Sequence, residues 1–233
     1  MILLRRSNER GHAQHGWLDS RHTFSFAEFH DPRWMGFGPL RVVNEDRVAP
    51  GGGFAPHRHA NMEILSYVIE GGLQHRDSIG NGSVIVPGDV QMMSAGSGIE
   101  HSEFNASKEA PVHFLQIWIQ PNRINAQPRY AQENFAPETR HGTLKLVASP
   151  DGADGSLPIR QDASVYACVL PQGAGLAHAL GEGRRAWVQV VRGRLRLDAD
   201  TVLDAGDAAG ITERRSLDLS AESESEFLLF DLP

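Results

Sequence analysis

Apolar residues in this chain gather in short runs that never settle into a helical period. No stretch repeats them at i, i+3, i+4 and i+7 between capping residues, so long amphipathic helices are not expected. Runs at 40–43, 64–69, 84–86, 90–93 and 112–119 have the length of strands. Between them lie Glu70-Gly71-Gly72, Gly80-Asn81-Gly82 and Pro87-Gly88-Asp89, which are turn signals. Many short strands at this spacing predict a β-sandwich or barrel. The pattern lapses from Gln120 to about Arg140, where Pro121, Pro128 and Pro137 interrupt a polar stretch, and this segment is expected to be a linker. Strand-like runs resume at 165–170, 187–191, 194–197, 208–211, 217–219 and 227–230, with a further loop-like stretch at 149–158.

The second half echoes the first. Val68-Ile69-Glu70-Gly71 is matched by Val190-Val191-Arg192-Gly193, and Pro87-Gly88-Asp89 by Ala205-Gly206-Asp207, in the same order. The repeat points to an internal duplication. A length of 233 residues admits one large domain or two small ones, and 24 glycines suit turn-rich structure. Lys and Arg number 22 against 29 Asp and Glu, a net charge of −7 that argues against nonspecific nucleic-acid binding. No apolar run has the ~18 residues of a membrane span. Met1-Ile2-Leu3-Leu4 is followed at once by Arg5 and Arg6, unlike a secretory leader. A cytoplasmic monomer is expected. The single cysteine, Cys168, excludes an intrachain disulfide or a thiolate cluster and reads as a small buried hydrophobe.

The sharpest chemistry lies in Gly53-Phe54-Ala55-Pro56-His57-Arg58-His59. In an extended segment, residues i and i+2 share a face, so His57 and His59 project together. Gly98-Ile99-Glu100-His101-Ser102-Glu103 offers a second such pair, His101 and Glu103. Two pairs meeting inside a barrel give three imidazoles and one carboxylate, a donor set for a divalent first-row metal: Fe(II), Ni, Cu, Mn or Zn. Glu63, four residues after His59, is a competing carboxylate that could be a ligand, a neighbour or a core-edge polar group. Around the ligands, Glu63, Asn61, Ser102 and Asn105 are candidates to hold the imidazoles. His75, Arg76 and Asp77 read as a strand-end ion pair or turn contact, and His113 as an ordinary strand histidine. Phe24, Phe26, Phe29, Trp34 and Phe37 read as core packing, whereas Phe54 and Met62, flanking the metal strand, are better pocket candidates.

These residues carry a resemblance. Gly51, His57, His59 and Glu63 fit the first motif of the cupin superfamily, and Gly98, His101 and Asn105 fit the second. Gly96 stands where that second motif usually has proline. The run Arg21-His22-Thr23-Phe24-Ser25-Phe26, then Gly36-Phe37-Gly38-Pro39-Leu40-Arg41-Val42, looks like the pirin family. So do His57-Arg58-His59-Ala60-Asn61-Met62-Glu63-Ile64, Leu73-Gln74-His75-Arg76-Asp77-Ser78 and the segment ending in Glu103.

The resemblance implies an all-β chain of two tandem cupin jelly-roll barrels facing each other, with short helical segments in the linker. It implies a metal-binding barrel at 1–135 and a barrel without ligands at 136–233. The metal, Fe(II) in the first instance, would be held by His57, His59, His101 and Glu103, leaving Glu63 a neighbour. Ala179, Gly181, Leu219 and Ala221 occupy the equivalent positions of the second half, where His178 stands alone. The activity implied is that of a quercetin 2,3-dioxygenase, which opens a flavonol ring with O2 and releases CO, with Glu103 as general base for the flavonol hydroxyl. Its partners would be a flavonol-like aromatic and O2, with no nucleic acid and no membrane. The alternative within the same family is a non-catalytic, redox-sensing regulator that binds a protein partner.

Overall fold

Alternation decides which segments become half-buried strands. In Ile99–Asn105 the odd-numbered residues are buried and the even-numbered ones partly exposed, and Ser216–Ala221 alternates likewise. Central strands such as Asp89–Ser94 are buried on both faces. The computed structural model describes residues 1–233 as two units.

The first unit comprises Gly11–Asn134 with Ile159–Gln161. Its larger sheet has the order Arg129–Asn134, Asp89–Ser94, Glu63–Glu70, Val112–Ile119, Leu40–Val48, Leu18–His22, Gly11–Gln14. Its smaller sheet has the order Gly53–His59, Ile99–Asn105, Leu73–Asp77, Gly82–Ile85. Leu18, Val48, Val68 and Phe114 of the larger sheet close one apolar cluster with Leu73 and Ile85 of the smaller. The other end of this interior is polar, and the histidines lie there.

The second unit comprises Met1–Arg10, Phe135–Pro158 and Asp162–Pro233. Its smaller sheet, Gly175–Ala179, Ser216–Ala221, Arg194–Leu197, Thr201–Asp204, repeats the order of the first unit's smaller sheet. In its larger sheet, Ala208–Ile211, Arg185–Arg192, Ser225–Leu232 and Ser164–Leu170 repeat the central order. The duplicated motifs are thus duplicated strands and turns.

Two features differ from the sequence expectation. Residues 1–10 lie in the second unit, not in the 1–135 half. Ile2–Arg5 pairs antiparallel with Ala208–Ile211, and Asp207 accepts from Arg6 Nη1 and the Ser7 N–H, each at 2.7 Å. Nothing local in the sequence signals a pairing so remote. The polar linker, in turn, contains a strand: Arg129–Asn134 pairs with Asp89–Ser94, and Gln132 and Asn134 donate to the Asp89 carboxylate at 2.8 and 2.7 Å. Its polar residues suit a sheet edge. The helical segments are short, one α-turn at Pro137–Arg140 and 3-10 turns at Ser7–Glu9 and Ala153–Gly155. No helix is long and apolar enough to cross a membrane.

Gly96 explains its departure from the cupin pattern. Its φ is +51°, closed to proline, and a Cβ there would sit 2.0 Å from the Ala126 carbonyl oxygen. That carbonyl accepts from the Ser97 N–H at 2.7 Å, and Gly96 O accepts from the Asn61 N–H at 2.8 Å, so the contact ties together three loops beside the histidines. Gly96→Ala is expected to destabilise the fold by about 1–2 kcal/mol from the left-handed backbone alone, with the clash adding to it. A thermal melt matching the parent would contradict this.

Candidate metal centre

Pairing of Gly53–His59 with Ile99–Asn105 sets His101 opposite His57 and Ile99 opposite His59. A register shift follows between His101 and Glu103, which re-aims the carboxylate. The three imidazoles converge: ring centroids lie 4.8 Å apart for His57 and His59, 4.4 Å for His57 and His101, and 4.9 Å for His59 and His101. Their nearest ring nitrogens lie within 4.8 Å of one another. Glu103 belongs to an adjoining group with His101 and His75 under the same limit, so His101 is common to both.

The protons of these rings follow from their partners. His57 Nδ1 lies 2.9 Å from the Ala55 carbonyl, which only accepts, so Nδ1 carries the hydrogen and Nε2 keeps its lone pair. Burial, with His57 beside it, holds His59 down to about 4. Burial, then the neighbouring His57, His59 and His75, hold His101 down to about 2. A chain of contacts fixes the His101 tautomer. Burial pushes Asp77 up, but hydrogen bonds from Asn81 and His75 outweigh it and keep the carboxyl below its ordinary range. His75 Nε2 donates to that carboxylate at 3.2 Å, which leaves Nδ1 of the neutral ring as acceptor. His101 Nδ1 faces it at 3.5 Å and donates, so the His101 lone pair resides on Nε2. That Nε2 is buried and has no hydrogen-bond partner. A buried lone pair without a donor, beside two further imidazoles, suits a cation, which removes the cost of leaving it unpaired.

Glu103 is fully buried among polar neighbours. Gln116 Nε2 donates to Oε2 at 2.7 Å, and the Ser66 hydroxyl lies 3.2 Å from Oε1 and 2.9 Å from Gln116 Oε1. Burial outweighs these bonds and pushes the carboxyl up to about 7. Asp46, accepting from the Ser20 hydroxyl, is likewise pushed up to about 7 by burial. Both line a cavity of about 560 Å3 that also exposes His57, His59, Phe26 and Trp118, a volume ordinary for a small-molecule site. Phe26 packs edge-on against Trp118, and Trp118 against His59.

Several expectations need correction. Glu63 accepts from Ser94 at 2.6 Å and from the Arg160 N–H at 3.1 Å and joins neither histidine group. Asn105 bridges the Val48 and Ala110 carbonyls, Asn61 caps Asn125, and Ser102 lies on the opposite face from His101 and Glu103. None of these four holds an imidazole. The Ala55 carbonyl holds His57 and His75 holds His101, while Gln116 and Ser66 hold Glu103. His75-Arg76-Asp77 carries a signal that could have found the first: it is a third i, i+2 pair, and it registers against His101 and Glu103. The turn-contact reading is right for Asp77, which accepts from Ile79 and Asn81, but incomplete for His75. His113 bonds Glu45 away from the site, and Met62 packs with Ile64 and Met93. Phe24, Trp34 and Phe37 are core, while Phe26 lines the cavity with Phe54.

A family model for pirin matches residues 4–119, and one described as the quercetinase C-terminal cupin domain matches residues 146–232. Over its full length the chain is 46% identical to a quercetin 2,3-dioxygenase of Escherichia coli, spanning 99% of that protein. The chain belongs to the pirin family. A pirin-like protein of Caulobacter vibrioides is 40% identical over 99% of each chain. The crystal structure of the E. coli pirin YhhW in complex with nickel(II) matches at a TM-score of 0.96 and 46% identity, covering 100% of this chain and 99% of that one. A quercetin 2,3-dioxygenase of Acinetobacter baumannii, 22% identical, shares the fold at a TM-score of 0.80 over 98% of this chain and 84% of that one. Both units of this pirin are therefore cupins, and the all-β expectation holds. In the second cupin His178 bonds Asp231 at 3.0 Å and meets the Tyr166 ring, while Leu219 and Ala221 are buried in its apolar core.

Metal-free protein should report the buried carboxyl. The folded state keeps Glu103 protonated to about pH 7, whereas the unfolded chain ionises it near 4.5. Between those values the unfolded state has lost the proton and the folded state has not, so stability falls as pH rises through the window, by about 3 kcal/mol from this group. Asp46 adds a slope of the same sign. Melting the metal-free protein across pH 4.5–7 should show the fall, and Glu103→Gln should remove about half of it, leaving the share of Asp46; an unchanged slope in the variant would contradict the assignment.

Proposed function

We propose that this protein is a metal-dependent dioxygenase that opens the heterocycle of a quercetin-type flavonol with O2 and releases CO. The observation that carries the reading is the buried, partnerless Nε2 of His101 beside the imidazoles of His57 and His59, which line an aromatic cavity together with Glu103. The quercetin dioxygenase names of full-length relatives at 46% identity support the substrate class. In this reading His57, His59, His101 and Glu103 hold one divalent metal in the first cupin, and the second cupin holds none. Three imidazoles and a carboxylate suit Fe(II), Ni(II), Cu(II), Mn(II) or Zn(II), and the nickel held by the E. coli pirin makes Ni(II) the first to load alongside Fe(II).

The metal supplies Lewis-acid polarisation at the flavonol oxygen. The protein's own groups do the rest. Phe26 and Trp118 present flat apolar walls to the rings. Glu103, whose carboxylate would face the bound flavonol, accepts the proton of the 3-hydroxyl, and Gln116 and Ser66 hold its oxygens in place. His75 orients His101 through the Asp77–His75–His101 chain.

Two measurements test this. Protein loaded separately with Ni, Fe, Cu and Mn is incubated with quercetin, aerobically and anaerobically, and flavonol absorbance and CO are followed. O2-dependent loss with CO formed is expected, and Glu103→Gln should lower kcat per bound metal by roughly 10²-fold or more. No turnover with any metal, together with a partner contact that depends on metal redox state, would replace the enzyme with the regulator. His75→Phe should weaken Ni(II) affinity in chelator competition by about 10–100-fold while leaving the melt of the metal-free protein near that of the parent. Unchanged affinity would remove His75 from the site.

A further inference from the structure

Strand Leu40–Val48 turns Val42, Asn44, Asp46 and Val48 toward the interior. Val42 and Val48 are what a barrel interior ordinarily holds. Asn44 and Asp46 are not: they are 3% and 4% exposed, and both line the aromatic cavity. Asn44 Oδ1 is buried without a hydrogen-bond partner, a condition that costs about 1–3 kcal/mol. Ser20, in register with Asp46 on the neighbouring strand, donates its hydroxyl to the carboxyl, which orients both groups. Asn44 Oδ1, the Asp46 carboxyl and the Ser20 oxygen thus put acceptor oxygens on one wall, with Asn44 Oδ1 the one left without a donor. The wall faces a ligand that brings donors.

The position relative to the reacting end narrows that ligand. Asn44 is the cross-strand neighbour of Gln116, the residue that donates to Glu103. A flavonol whose 3-hydroxyl meets Glu103 therefore reaches this wall with the ring on the adjacent carbon. Phe26 and Trp118, packed edge to face, give that ring apolar surface in the same cavity, and hydroxyls on its edge would satisfy the acceptors.

We propose that Asn44, Asp46 and Ser20 form a hydroxyl-reading subsite that selects flavonols whose pendant ring carries adjacent hydroxyls. The proposal rests on the flavonol reading above, and its test separates the two. Anaerobic fluorescence titrations of the nickel-loaded full-length protein compare quercetin with 3,5,7-trihydroxyflavone, the same molecule without the pendant hydroxyls. The parent protein should bind quercetin at least ~10-fold more tightly, because a site built for hydroxyls penalises the analogue that leaves its acceptors unpaired. In Asn44→Leu that ratio should collapse toward one. Equal binding of the two flavonols by the parent protein, a comparison that needs no variant to fold, overturns the subsite. So does a ratio that survives in Asn44→Leu. Turnover without discrimination leaves the oxygenase standing and the subsite fallen. Discrimination without turnover in air leaves the subsite standing and removes the oxygenase. Binding of neither flavonol overturns both.

Discussion

The chemistry of this protein depends on the register between two strands of a small sheet. Setting His101 opposite His57 brings two dipeptide-spaced pairs onto one interior surface, and the irregularity after His101 turns Glu103 toward Gln116 and Ser66. Strand side chains alternate, so a slip of one residue would send every donor to the outer face. The same convergence keeps His59 and His101 from protonating. Burial opposes a charge on either ring, and the neighbouring imidazoles repel it further. Neutral donors with inward lone pairs are therefore a product of the pairing.

Much of this was legible in the chain itself. Val112–Ile119, Arg194–Leu197 and Ala208–Ile211 coincide with the strand-like runs expected from the sequence, and the H-x-H and H-x-E pairs announce a shared face because strand geometry has period two. What stayed hidden depended on partners far away in sequence. Ile2–Arg5 is a strand only because Ala208–Ile211 offers an edge, and Arg129–Asn134 because Asp89 takes its amides. The residues that hold the ligands were misjudged for the same reason. Neighbours in sequence, such as Ser102 and Asn105, point away or organise loops, whereas Gln116 and Ser66 come from strands whose adjacency only the sheet order reveals.

Comparison of the two cupins isolates what the histidines cost. Both have the same strand order, yet the second fills its interior with one continuous cluster, including Leu217, Leu219, Val188 and Phe227. The first divides its apolar residues into smaller clusters around a polar cavity holding two carboxyls and partnerless nitrogen and oxygen atoms. Each such atom works against folding. In the second cupin Leu219 and Ala221 pack into that cluster instead of facing a polar cavity.

The placement of Ile2–Arg5 has a consequence for biogenesis. Its partner, Ile211 for Ile2, is more than two hundred residues downstream. On the ribosome Ile2–Arg5 emerges well before Ala208–Ile211, so its hydrogen-bonding edge exists only after the residues between them have been made. Domains ordinarily fold as they are synthesised, N-terminal first. Here the residues from Gly11 onward are free to condense early, while Ile2–Arg5 stays unpaired until Ala208–Ile211 has been made. Closure of so long a loop makes this one of the last ladders to zip, and its exposed apolar side chains are in the meantime open to chaperone capture.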